Sequence, residues 1–294
     1  MSFAQTVALG ALAGFTIFLG LPVGRLQTIG TRTRVGLAMF SVGILAFIFV
    51  DVLSNAREIL GLAVTAYKTG HGSLGHLIWL VTLMAVGFGL GSAGLAFLER
   101  RIRPAGARRP PIAGGAPAVA MSVAEADAVA IEADAVAIEV DAARRRALRT
   151  GLTIAAAIGV HNFAEGLAIG VSARAGAISL ATVLIIGFAL HNATEGFGIV
   201  GPLGDVRPSW KWLGLAGLIG GGPTFLGSIV GYAVTSTPLE LTFYAVAGGA
   251  ILYVIGEVWN GMRRYGHREL GLLLLTVGFL AGVITDLVIT YGGG

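Results

Sequence analysis

Cysteine is absent from this 294-residue chain, charged residues make up only 12% of it, and Lys68 and Lys211 are its only lysines. The missing thiols exclude a disulfide framework and a thiolate site for soft metals, so a metal here has to be held by nitrogen and oxygen. The scarcity of charge excludes an ordinary soluble domain, in which about a quarter of the residues are charged. Nucleic acid is not an expected partner despite a calculated isoelectric point near 9.8, because the cations sit at the ends of apolar runs and not on one polar surface. What the chain does have is apolar: 55% hydrophobic residues, 46 glycines and a mean hydropathy of +0.83. Glycine at that level suits helices that pack closely in lipid. The composition describes an integral membrane protein.

A helix needs roughly 20 apolar residues to cross the hydrocarbon. Eight stretches meet this, at about 4–24, 35–56, 75–98, 149–171, 177–200, 211–234, 241–262 and 270–291. MSFAQTVALG has no basic residue ahead of its apolar run, so it reads as a retained span and not a cleaved signal. The expected fold is all-α and polytopic, with spans 1–3 in residues 1–98, a loop at 99–148, and spans 4–8 in residues 149–294. Of the 20 Lys and Arg, only Arg57, Lys68 and Arg174 fall after spans 2, 4 and 6; the rest follow spans 1, 3, 5 and 7. Positive residues favour the cytoplasm, so both termini are expected outside. The arginine bias and the Ala/Gly richness are those of a GC-rich bacterial genome, and the cell (inner) membrane is the expected location.

The long loop opens with ERRIRPAGARRPPIAGGAP, whose Pro, Gly and Arg content disfavours fixed structure. A duplicated heptad follows, EADAVAI at 125–131 and again at 132–138. Two heptads fall short of the three or more that a coiled coil needs, so the loop reads as a flexible acidic linker. A helical, cation-collecting arm is the alternative.

Ionisable groups inside a span are costly and mark functional paths by default. The mid-span set is His161, Glu165, His191 and Glu195; Asp51, Glu257 and Asp286 lie nearer span ends. The pairs occur in HNFAEGLAIG (161–170) and HNATEGFGIV (191–200). An i, i+4 spacing puts His and Glu on one helix face, with Asn162 and Asn192 at the edge of the same face. Two such helices facing each other offer imidazoles and carboxylates at the midplane, a donor set suited to Zn²⁺, Fe²⁺, Mn²⁺ or Cd²⁺. One His–Glu pair can be a structural hydrogen bond; two copies of H-N-x-x-E-G in consecutive spans make that reading improbable. Gly166 and Gly196 read as close-packing positions.

The paired motifs, placed after a long loop between spans 3 and 4, resemble those of the ZIP (Zrt/Irt-like) metal transporters. HNATEGFGIVGPL and GAILYVIGEVWN look similar to its bacterial GufA-like branch. The resemblance implies uptake of a divalent metal toward the cytoplasm between spans 4 and 5, with the metal as substrate and no resident cofactor. It implies a principal site at His161, Glu165 and Glu195, and an adjacent one using Asn162, His191 and Asn192. The span 6 Glu that relatives place before Pro is here Gly222, ahead of Pro223, which favours a single ion. Relatives often carry Pro where this chain has Ala164 and Thr194. The resemblance further implies that spans 1, 4, 5 and 6 move against 2, 3, 7 and 8, and it makes a homodimer an expected assembly.

With this orientation Asp51 and Asp286 fall near the outer face and Glu257, matched by a span 7 Glu of relatives, toward the cytoplasm. Acid pH should weaken binding, because neutral imidazole is the ligand. Two rival classes share these residues: an intramembrane zinc hydrolase, for which the H-E-x-x-H order is absent, and a proton-coupled carrier of a non-metal solute, for which doubled pairs are unnecessary. The chain is not expected to be an enzyme.

Overall fold

The computed structural model describes residues 1–26, 29–102, 123–176, 178–234 and 236–292, and every regular element among them is helical. In chain order, α1 is Phe3–Phe15, continued by Ile17–Gly20 and a 3₁₀ turn at Leu21–Arg25. Next come α2 (Thr31–Lys68) and α3, which runs from Leu74–Gly89 through a π-type turn at Leu90–Gly94 into Leu95–Ile102. The remainder are α4 (Val123–Arg174), α5 (Ile178–Val200), α6 (Trp210–Ala233), α7 (Thr237–Arg263) and α8 (Arg268–Gly292). Seven helices among the described residues are long and apolar enough to cross a membrane. α5, with 23 residues, has about 34 Å of rise and the length of an eighth.

Local sequence explains most helix ends. Ser2, Ser73 and Ser209 each accept a hydrogen bond from a first-turn amide, the usual N-cap device. Gly70, Gly176, Gly204 and Gly266 turn the chain with positive φ. Two helices overrun the expected spans. α2 continues past residue 56 to Lys68, because no proline intervenes and Gly61 keeps helical geometry, until Gly70 turns the chain with positive φ. α4 begins at Val123 and runs unbroken for 52 residues, so the acidic heptads lie on a helix where a flexible linker was expected. Their Ala and Glu content is strongly helix-forming, as is the DAARRRALR at 141–149 that follows, and Asp141 pairs with Arg145 one turn on. The Pro/Gly/Arg stretch at 103–122 lies outside the described residues.

Glycine sets the packing. A methyl built on Gly227 of α6 would lie 2.1 Å from the Phe163 carbonyl of α4, and one on Gly166 the same distance from that of Thr224. Gly14 meets Gly221 at 2.2 Å and Gly20 meets Ala193 at 2.2 Å, which brings α1 onto α6 and α5. Elsewhere a methyl on Gly43 would lie 2.0 Å from the Leu275 carbonyl and one on Gly249 2.3 Å from that of Phe88, so close packing joins α2 to α8 and α3 to α7. These contacts of glycine with backbone join α1, α4, α5 and α6 into one group and leave α2/α8 and α3/α7 as separate pairs. Where the groups meet, Gly198 faces the Ser41 hydroxyl and Gly201 the Ala38 methyl, which are side chains able to slide.

Gly227→Ala is expected to cost about 1–3 kcal/mol through overpacking, read as a lowered melting temperature of the detergent-solubilised protein. Gly222→Ala, with nothing within 4 Å of the new methyl, should leave it unchanged or slightly raised.

Candidate metal centre

α4 and α5 each present one turn of motif to a common point. His161 Nε2 stands 2.9 Å from Glu165 Oε1 on its own helix and 3.6 Å from Glu195 Oε1 on α5. His191 Nε2 reaches the same Glu165 oxygen, and one ligand atom from each of His161, Glu165 and His191 lies within 4.8 Å of the others. The two imidazole rings are tilted, with centroids 6.3 Å apart. Asn162 donates to Glu195 Oε2 at 3.1 Å and to the Gly220 carbonyl of α6 at 3.0 Å, so it holds the second carboxylate in place. His161 and Glu195 are wholly buried and Glu165 nearly so, while the His191 side chain is 14% exposed.

Asn192 follows its histidine as Asn162 does, yet its amide donates to the Ala13 carbonyl of α1 at 3.1 Å. It therefore ties α5 to α1, away from the carboxylates. Gly222 is also placed unexpectedly. It lies on the face of α6 that carries the exposed Leu218 and Leu226, and the site side of α6 is formed by the Gly220 carbonyl. Residue 222 thus offers no position for a further ligand in this arrangement.

Buried polar atoms without a hydrogen-bond partner converge here: His161 Nδ1, Asn162 Oδ1, Glu165 Oε2 and Glu195 Oε1. Such orphans are rare in native interiors. Two buried carboxylates repel each other in low dielectric and call for compensating positive charge. A divalent cation would supply that charge, and nitrogen with oxygen donors suits the borderline transition metals.

A cavity of about 510 Å³ leads to the cluster, lined by His161, Glu165, His191, Asp51 and Asp286 among others. It thus joins the centre to both acidic residues expected near the outer face. Glu257 is not on its wall; it lies 13 residues beyond the wall residue Tyr244, about 20 Å along α7, and is half-buried. Nor are His71 and His76, which are exposed. On the opposite side of the centre Ile154, Ile158, Ile199 and Leu203 are buried in the apolar core, and that side is closed.

Sequence reasoning missed several supports. Phe188 packs edge-on against the His191 ring at 5.3 Å. Thr194, at a place where relatives carry Pro, returns its hydroxyl to the His191 carbonyl at 2.7 Å, which satisfies backbone and favours a slight bend. The Gly220 carbonyl leaves no signature in a sequence, because every residue has one.

Residues 131–255 match the family model described as ZIP zinc transporter. This segment is similar to the ZIP family. The chain is 29% identical over 150 residues to a curated relative, the zinc transporter ZupT of Clostridium perfringens (strain 13 / Type A). The match takes in 48% of the present chain, which spans about half (51%) of the length of that relative. The matched segment contains both H-N-x-x-E-G motifs and the Gly220 turn of α6.

Asn162 and Asn192 give opposed expectations. Asn192→Ala should lower the melting temperature by the equivalent of about 1–3 kcal/mol, because a buried carbonyl loses its donor. It should leave Zn²⁺ affinity by titration calorimetry within about threefold (under 1 kcal/mol). Asn162→Ala releases Glu195 and should weaken Zn²⁺ at least about tenfold, near 1.4 kcal/mol.

Proposed function

We propose that the protein carries divalent transition-metal cations, zinc foremost, across the membrane toward the cytoplasm by alternating access through the centre formed by His161, Glu165, His191 and Glu195. The observation that carries this reading is a buried N/O donor cluster at the foot of a cavity open on one side and packed shut on the other. Asn162 positions Glu195, and Asn192 holds α5 to α1. Two carboxylates balance one M²⁺, so one ion is held at a time.

In this mechanism the ion sheds water as it passes Asp51 and Asp286, which line the cavity. It then binds the imidazoles and carboxylates at mid-depth. The ion's own charge relieves the repulsion between Glu165 and Glu195, so the loaded centre can move past the apolar seal more easily than the bare one. The glycine contacts that hold α1, α4, α5 and α6 together support a rigid shift of these helices against the rest, after which Glu257 lies toward the exit. The cationic residues after spans 1, 3, 5 and 7 support termini outside and a cavity facing outward. The names borne by the matching family and relative support a carrier over a hydrolase, as does a donor set spread evenly over two matched helices.

Two measurements test this. Labelled Zn²⁺ uptake into vesicles holding the pure protein should saturate, and fall to the protein-free level in a His161→Ala/Glu195→Ala variant; intact uptake by that variant would sink the site. The absence of cysteine makes the second clean. With Ser172→Cys, on the cavity wall, an impermeant maleimide should label intact cells, and Zn²⁺ should slow the reaction. Ser41→Cys, 1% exposed, should stay unlabelled; labelling of Cys at 172 only in inverted membranes would reverse the orientation.

A further inference from the structure

We propose that the hollow bounded by α2, α7 and α8 at one membrane end binds an anionic phospholipid, its phosphodiester held by Arg32, Arg263 and Arg268. Two adjoining cavities, of about 580 and 470 Å³, share His267 and Arg268 as a wall. Arg32, from the first turn of α2, and Glu269 line the first; Arg263, from the last turn of α7, lines the second. The turn between α7 and α8 is made by Gly266 (φ 72°) and His267 (φ 54°), both left-handed. His267 is the non-glycine residue with that conformation among those described.

Charge alone at a helix end is a topology signal, and it is the contrast with neighbouring arginines that singles out these three. Arg25 donates to the Pro208 carbonyl and stacks 4.7 Å over the Trp210 ring. Arg34 donates to the Gly204 carbonyl and lies 3.3 Å from Asp205. Both are taken up by the protein. Arg32, Arg263 and Arg268 are exposed and make no ion pair or side-chain hydrogen bond among the described residues. Glu269 is the acidic member of the lining. Three guanidiniums against one carboxylate leave net positive charge for a monoanionic headgroup, and guanidinium forks match phosphate oxygens two at a time.

The apolar part of the hollow favours a lipid over a free anion. Val35, Met39, Met262 and Trp259 line the second cavity beneath the cations, and Leu272 continues the wall of the first. Basic headgroup sites above an apolar wall between spans are the form that anionic-lipid recognition takes. None of α2, α7 and α8 belongs to the helix group that carries the metal centre, so the inference does not depend on the transport reading.

The test uses the full chain, purified, delipidated and given equal phosphatidylglycerol and phosphatidylcholine of identical acyl chains, with retained lipid read by native mass spectrometry. The wild type should keep phosphatidylglycerol about tenfold over phosphatidylcholine, and R32Q/R263Q/R268Q should lose that preference. An R207Q/K211Q control, changed near the start of α6, should keep it. The single R268Q variant, expected to show a reduced preference, covers the case in which the triple variant fails to fold. Equal retention by wild type and R268Q, no preference in the wild type, or displacement by millimolar inorganic phosphate would each overturn the proposal.

Discussion

The rest of the structure depends on the burial of two carboxylates beside two imidazoles within the helix bundle. Removing ions from water costs several kcal/mol each unless partners and hydrogen bonds compensate. Here compensation requires three helices at once: α4 brings His161, Asn162 and Glu165, α5 brings His191 and Glu195, and α6 brings the Gly220 carbonyl. Those helices have to approach closely, and closeness in lipid comes from van der Waals packing of small residues, because hydrocarbon gives apolar side chains no reason to desert it. The glycines of α4 and α6 are therefore part of the same problem as the charges. A methyl at Gly227 would meet backbone at 2.1 Å, and the donor set could not assemble around it.

A second property follows from the uneven surroundings of that cluster. Toward one side lies a cavity of about 510 Å³ with Asp51 and Asp286 in its wall; toward the other lie Ile154, Ile158 and Ile199, with at most 1% exposure. A cation bound at the centre, as proposed, would therefore be accessible from one face only. In the proposed alternating access, exchange of faces needs movement of packed helices, and the glycine contacts set α1, α4, α5 and α6 apart along a seam where side chains, not backbones, meet. That seam passes Ser41 and Gly198, close to the centre and on its sealed side.

Much of the candidate site was legible in the chain. His161 with Glu165, and His191 with Glu195, share helix faces by spacing alone, and the structure brings all four together. The near identity of the motifs also misled. Asn162 and Asn192 stand at equivalent places, yet one meets Glu195 and the other the Ala13 carbonyl, because the edge of α4 faces α5 and α6 while the edge of α5 faces α1. Gly222 was read as the place of a missing ligand by its neighbour Pro223, but the phase of α6 turns it outward. The heptads at 125–138 looked like a linker, since two repeats are too few for a coiled coil; fused to α4 they need no partner to continue a helix already nucleated by its membrane-embedded part.

Composition and period by themselves determined the membrane setting, the number and approximate limits of the spans, and the donor types available, because lipid tolerates so few polar groups that each is conspicuous. Only the tertiary structure decided which of those donors converge, which asparagine serves the carboxylate, and on which side the centre is open. Those outcomes rest on which helices are neighbours and on the rotation of each about its axis, and both are set by contacts between residues far apart in the chain.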